Sequence, residues 1–294
     1  MNGKNLYKIA VLGGDKRQAA VAAELAACGH RIRYMGCGDV TEGCEICTNV
    51  DKAMEGADIA VLPLPVTRDN MSILVGNSKV NIDNILKLAM KNNTLLLGGI
   101  VPDELNRVCL ESGIEIIDYY KIESLQQRNA LPSAEGALMV AMEHTDITVC
   151  GMRTLVAGYG RIGRILADIL KKLGACVTVA ARRDETLCEI SMSGLDAIRI
   201  GGEELGTAVS KCDVIFNTVP SVIFSEKLLK SVNGSPLYIE IASSPGGIDI
   251  KAARDAGVEI VLAPSLPGRY APVSAGKYVF ETISEILSER RIKI

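Results

Sequence analysis

One stretch constrains this chain more than any other: RTLVAGYGRIGRILADILKKLGACVTVAARR, residues 153–183. An apolar run over 154–157 ends in Gly158-Tyr159-Gly160-Arg161-Ile162-Gly163. A helical pattern follows, with Ile165, Leu166, Ile169, Leu170 and Leu173 on one face. Gly174 closes it, and a second strand-like run covers 175–180. Strand, glycine turn, helix, strand is the order that lays a pyrophosphate on a helix N-terminus, where free amides and the helix dipole favour negative charge. Gly158 permits the tight turn, Gly160 lets backbone approach phosphate, and Gly163 lets the helix pack on the strand. A bare GxGxxG is weak evidence, but here the flanking elements supply the context. All six residues of the turn are expected to contact a dinucleotide.

The residues closing the second strand bear on which dinucleotide. NAD-selective sites carry Asp or Glu about 20 residues past the first glycine, bonding the ribose 2′-hydroxyl. This chain has Ala180-Ala181-Arg182-Arg183 there. Two guanidiniums suit forked contacts with a 2′-phosphate, so NADP(H) is favoured and NAD(H) is the alternative. Asp184 and Glu185 follow, and an ordinary charged surface turn stays open as a third reading.

At 294 residues the chain is long enough for two domains, each with its own core. That core must be built from Ile, Leu, Val and Ala, since there is no Trp and aromatics make up 4%. A net charge of −3 with both signs interspersed offers no basic stripe to nucleic acid. No segment has the apolar length of a membrane span. The start, MNGKNLYKIAVLGG, reads as a first strand rather than a signal peptide, so a cytoplasmic location is expected. The nine cysteines are scattered, as for reduced thiols. Cys44-x-x-Cys47 with Cys37 has zinc-like spacing, but no fourth ligand is near. A flexible loop with incidental thiols, and no metal site, is expected.

The first half repeats the α/β rhythm, with strands at 8–12, 31–35, 59–62, 94–97 and 115–117 and helices at 17–27, 82–90 and 102–111. The fold class is therefore α/β, with two doubly wound parallel-sheet domains, the second a Rossmann dinucleotide-binding domain. The first turn, GGDKRQ, lacks the GxGxxG spacing, so residues 1–130 are expected to hold substrate rather than dinucleotide. A helix over 133–144, opened by Pro132 and capped with help from Ser133 and Glu135, is expected to cross between domains within 131–150. Residues 151–270 form the cofactor domain, and a last helix at 274–288 is expected to pack back on the first domain. Strands at 213–217, 237–241 and 258–262 deliver three loops of small residues, Pro and Gly. They carry Asn217-Thr218-Val219-Pro220, then Ser243 and Ser244, then Arg269. Such loops suit close approach to a flat nicotinamide ring, or simply turn strand into helix.

Several runs carry a resemblance: NALPSAEGALMVAMEHTDITVCGMRTLVAGYGRIG, GGDKRQ, LPVTRDN, NTVPS, ASSPGGID and APSLPGRYAPVSAGK. Spread collinearly from Gly13 to Lys277, they resemble the A-subunit family of dipicolinate synthase, with a departure at Arg269-Tyr270. The resemblance implies one of the two components of an enzyme oxidising dihydrodipicolinate, or its hydrated precursor, to pyridine-2,6-dicarboxylate. It also implies a flavoprotein-like partner, the synthase's B-subunit, which completes the enzyme in the mother cell of a spore-forming bacterium. The substrate is a dianion, so cationic groups are needed. Lys16, Arg17 and Arg68 in first-domain turns are the candidates, with Arg269, Ser243 and Ser244 from the other loops. For proton removal the candidates are Asp15, Ser133, Glu135 and Lys277, with none singled out. His144 is read as a structural hydrogen-bonder.

Two other classes stay open. A 2-hydroxyacid or shikimate-type dehydrogenase is one, although the hydroxyacid kind wants a His–carboxylate pair near the C-terminus and no His follows His144. A non-catalytic nucleotide-binding protein is the other. Whether the chain forms a homo-oligomer is also open.

Overall fold

In this computed structural model the described residues are 6–38, 43–76, 78–231 and 233–292. The chain divides into two compact units: residues up to Asn129 together with those from Ala271 onward, and Ala130–Tyr270.

The first unit begins with β1 (Lys8–Leu12), α1 (Lys16–Ala27), β2 (Arg31–Met35), β3 (Cys44–Ile46), α2 (Val50–Met54) and β4 (Ile59–Val61). A small hairpin, β5 (Ser72–Val75) and β6 (Ser78–Asn81), leads into α3 (Ile82–Asn92). β7 (Leu95–Gly98), α4 (Asp103–Glu111), β8 (Ile116–Asp118) and the start of α5 (Glu123–Glu143) follow. Its sheet runs β3-β2-β1-β4-β7-β8, and every pairing is parallel.

Parallel strands covered on both faces must be apolar throughout, and β1 (KIAVL) shows it. Ile9 and Val11 join one core cluster with Val21, Leu25 and Tyr34, while Ala10 and Leu12 join the opposite one with Ile85 and Leu96. The C-terminal helix belongs to the first of these clusters through Val279 and Ile283. It lies close on α1: a Cβ on Gly276 would stand 2.6 Å from the Arg17 carbonyl oxygen.

The second unit contains β9 (Arg153–Ala157), α6 (Arg161–Lys172), β10 (Cys176–Ala181), α7 (Asp184–Met192), β11 (Asp196–Arg199), α8 (Glu204–Lys211) and β12 (Val214–Asn217). It continues with α9 (Glu226–Lys230), β13 (Leu237–Glu240), α10 (Ile250–Asp255), β14 (Ile260–Leu262) and α11 (Leu266–Tyr270). α12 (Pro272–Glu289) returns to the first unit. The sheet order is β11-β10-β9-β12-β13-β14, again all parallel. The expected fold class is borne out. In each sheet, taken in chain order, the strands run 3-2-1-4-5-6. This doubly wound order opens a crevice at the carboxyl ends where the order reverses.

Three expectations need correcting. The helix expected to open at Pro132 starts nine residues earlier, at Glu123, and runs through the proline. Pro132 costs the hydrogen bond to the Arg128 carbonyl, while Leu125, Ala130, Ala134, Ala137 and Ala141 are buried along the helix. Ser133 and Glu135 are therefore mid-helix residues rather than caps. The cysteine segment is not simply a loop: Cys44–Ile46 is the edge strand β3, with Cys44 Sγ 3.7 Å from the Ala22 carbonyl and Cys47 buried. Residues 39–42 of that segment lie outside the described residues. The third cofactor-side loop turns directly into α11, so Arg269 is helical rather than in a loop.

Candidate functional site

The turn after β9 shows why each of its glycines is there. Gly158 has φ +96°, and a Cβ on it would strike Thr218 Oγ1 at 2.4 Å. Gly163, one turn into α6, would place a Cβ 2.2 Å from the Gly158 carbonyl oxygen. Gly160 is different: its backbone is extended, it caps α6 without a side-chain bond, and a Cβ there would meet nothing within 4 Å. Open space in front of a helix N-terminus is what an anion requires. Tyr159 is held to one side. Its ring lies 4.7 Å under the Arg164 guanidinium and its hydroxyl is 3.3 Å from Ser193 Oγ. Ile162 is half-buried against the core, and Arg161 is exposed at the first position of the helix.

Beyond β10 the cationic residues cluster. Arg182 Nη2 donates to Ser221 Oγ at 2.5 Å, and Arg199 Nη1 donates to the Arg182 carbonyl at 2.8 Å while its other nitrogen pairs with Asp184. Arg183 is exposed at the N-cap of α7. Sequence reading missed Arg199 and Ser221. The signal for Arg199 was its place at the carboxyl end of the next parallel strand.

On the other side of the glycine turn, the β12 loop is fastened to it. Thr218 sends both its N–H (2.9 Å) and its hydroxyl (2.8 Å) to the Ala157 carbonyl. Asn217 is fully buried, and its amide donates to Glu240 Oε1 at 2.7 Å and to the Val219 carbonyl at 2.9 Å. Pro220, Ser243 and Ser244 lie in the loops that follow β12 and β13, and all three are exposed.

In the first unit, the corresponding switch-point crevice holds a cavity of about 140 Å³ lined by Gly14, Asp15, Leu64, Pro65, Thr67 and Arg68, among others. The structure brings Asp15, Arg17 and Arg68 together here. Arg17 is buried and grips both Asp15 oxygens, through Nε at 2.9 and 3.1 Å and Nη2 at 2.8 Å; Nη2 also donates to the Leu64 carbonyl at 2.7 Å. Burial would raise the Asp15 carboxyl, but hydrogen bonds and charge from Arg17, with the field of Arg68, outweigh it and lower its pKa. Asp15 is thus a poor proton acceptor and a firm anchor. Arg68 is exposed at the cavity, and Lys16 lies on the first turn of α1.

The remaining candidates are dispersed. Ser133 is buried and Glu135 exposed on the part of α5 that belongs to the second unit. Lys277 is exposed on α12 in the first. Arg269 stacks over the Tyr270 ring at 5.1 Å, and the Tyr270 hydroxyl donates to Glu143 at 2.9 Å. Tyr270 also packs beside Gly136, where a Cβ would lie 3.1 Å from its ring. The Arg269-Tyr270 pair therefore ties α11 to α5. Among the described residues no group of three or more His, Cys, Asp or Glu is arranged to hold a metal. No helix among them is long and apolar enough to cross a membrane.

Compared with known proteins, the chain is 30% identical over 287 residues to the dipicolinate synthase A-subunit of Bacillus subtilis (strain 168), covering 96% of each. It belongs to the A-subunit family of dipicolinate synthase. Residues 8–120 match the model of that family's N-terminal domain. The crystal structure of the Bacillus halodurans member superposes with a TM-score of 0.84 at 26% identity, over 96% of this chain and 98% of that one. That of the Bacillus subtilis member gives 0.83 at 29%, over 98% and 97%. The likeness therefore spans both units.

Proposed function

We propose that this chain is the nucleotide-binding component of a dipicolinate synthase, and that with a flavoprotein-like partner it oxidises dihydrodipicolinate, or its hydrated precursor, using NADP⁺. The observation that carries the redox role is the unobstructed N-terminus of α6 between Gly160 and the arginine cluster. Its glycine turn would hold the pyrophosphate, and Arg182, Arg183 and Arg199 the 2′-phosphate. The choice of product rests on family membership.

When bound, the nicotinamide supplies a hydride acceptor: one hydride leaves a ring carbon of the dihydropyridine, one proton leaves its neighbour, and the aromatic diacid remains. The hydrated precursor must lose water as well. The work left to the residues is alignment, charge pairing and exclusion of water. Arg68, exposed at the first crevice, and Lys16 on the adjoining turn of α1 are the proposed carboxylate contacts. Arg17, already bonded to Asp15 and Leu64, holds that crevice in shape. Ser133, Glu135 and Lys277 remain the candidates for the proton.

The test is ultraviolet detection of dipicolinate from freshly made dihydrodipicolinate, with the chain, its partner and NADP⁺. Arg68→Ala should raise KM sharply, by roughly 2–5 kcal/mol of lost carboxylate pairing, with NADPH affinity unchanged. No product when both proteins are folded and nucleotide is bound would overturn the reaction; normal kinetics in Arg68→Ala would overturn only the contact.

A further inference from the structure

β13 reads LYIE, an apolar strand of the sheet interior ending in one acid. That acid, Glu240, is 8% exposed and takes four hydrogen bonds. Its Oε1 accepts from the Asn217 amide at 2.7 Å and from the Ala242 N–H at 3.0 Å. Its Oε2 accepts from the Tyr238 hydroxyl at 2.9 Å and from the Gly247 N–H at 2.8 Å. The surrounding backbone is moulded to this group. A Cβ on Gly246 would come within 2.9 Å of Glu240 Oε2, and one on Gly247 within 2.3 Å of the Asn217 amide. The Gly247 carbonyl then accepts from the N–H groups of Ile223 (2.8 Å) and Phe224 (2.9 Å). One carboxylate thus joins the loop after β12 to the loop after β13.

Strand order says what those loops face. The adenosine end of a dinucleotide, read by Arg182, belongs over β10, and its pyrophosphate over the turn after β9. The other half must run over β12 and β13, on the far side of β9. We propose that Glu240 is the positioning residue for the nicotinamide half: it fixes both loops on which the ring rests, and touches neither ring nor substrate itself. This rests on the dinucleotide reading above.

The chemistry of four donors is demanding. A carboxylate is acceptor-only at both oxygens; a carboxamide of the same shape is not. In Glu240→Gln the new NH2 must face either the Asn217 amide with the Ala242 N–H, or the Tyr238 hydroxyl with the Gly247 N–H. Either way a donor meets a backbone donor, buried at Gly247 and half-buried at Ala242, and one loop lets go.

Calorimetric titration of the full chain with two probes separates this from a general packing role. NADPH carries both halves, whereas adenosine 2′,5′-bisphosphate carries only the adenosine and 2′-phosphate half. Glu240→Gln should bind NADPH at least tenfold more weakly than wild type and the bisphosphate within about twofold. Asn217→Ser, which removes the amide from the same knot, should show the same split. Equal loss of both probes, unchanged NADPH affinity, or failure of both variants to fold would each overturn the positioning role. If wild type binds neither probe, the dinucleotide reading itself fails, and that result is seen before any variant is made.

Discussion

Gly160→Val is the most direct perturbation of the proposed cofactor turn, because the structure separates its effect on folding from its expected effect on binding. Gly160 has φ −83° and ψ −160°, an extended conformation open to a β-branched residue, and its new Cβ would touch no protein atom within 4 Å. Folding should change by no more than about 1 kcal/mol, a melting shift of roughly 2–4 °C. The space the isopropyl group takes is the space in front of the α6 amides. Two charge-assisted bonds to the pyrophosphate at about 1.5–3 kcal/mol each would be lost, together roughly 3–6 kcal/mol. At about 1.4 kcal/mol per tenfold, NADPH should bind roughly a hundredfold to ten-thousandfold more weakly. Gly163→Ala provides the opposite control: its Cβ would sit 2.2 Å from the Gly158 carbonyl oxygen, so strain of about 1–3 kcal/mol should appear in the melting curve. The assays are titration calorimetry with NADPH and thermal unfolding. A folded Gly160→Val protein with wild-type affinity would refute the assignment of this turn.

Other consequences can be checked alongside. The double variant Arg182→Ala, Arg183→Ala should weaken NADPH by a few kcal/mol, about two charge-assisted contacts, and leave NADH nearly untouched. A wild type that prefers NADH, or equal loss of both nucleotides, would end the 2′-phosphate reading; Arg199→Ala should show the same bias more weakly. Asp15 has a carboxyl lowered from 3.8, so its contribution to stability is full above that value and is lost as pH falls through the lowered one. Its side chain is 38% exposed, so screening limits the contribution to about 1 kcal/mol. Urea unfolding should show Asp15→Asn, which keeps a capping oxygen, less stable than wild type at about pH 6, with the gap shrinking as pH falls below 3.8. A gap that persists or widens in acid would contradict the Arg17 pairing.

What could be read from the residues alone was what is local. The glycine turn and its flanking strands lie within one continuous stretch, 153–183, and each element carries its own periodicity. The partners of Arg182 are not legible because they are far apart in the chain: Ser221 stands 39 residues from it, and Arg199 stands 17 away. Only the parallel pairing of β10 with β11 makes Arg199 a neighbour. The true start of α5 is not legible because proline normally marks a helix start, and only the buried alanines on both sides of Pro132 show that packing outweighs one missing hydrogen bond. β3 was hidden because three residues at a sheet edge, two of them exposed, carry almost no pattern. Glu240 does carry a signal in the sequence: an acid closing an otherwise apolar strand must find donors, and the small-residue loop after it supplies two backbone N–H groups.

The two sheets share one strand order, yet their first turns differ in what stands before the helix N-terminus, and the reason lies in a few atoms. In the first unit, the Gly13 N–H goes to the Met35 carbonyl and the Gly14 N–H to the Leu74 carbonyl on the β5 hairpin. The side chain of Asp15 then caps α1, accepting from the Arg17 N–H at 3.0 Å. A carboxylate of the protein's own thus stands where an anion would sit, and Arg17 neutralises it. In the second unit the matching N-cap is Gly160, with no side chain at all. Placing a carboxylate there, as in Gly160→Asp, should cap α6 in the same way and repel the pyrophosphate. NADPH binding should then fall by more than in Gly160→Val while the helix gains stability of up to about 1 kcal/mol. Calorimetry and thermal unfolding on the two variants decide it: weaker binding in the valine variant than in the aspartate variant would mean that bulk, and not competition for the helix terminus, sets what each turn can hold.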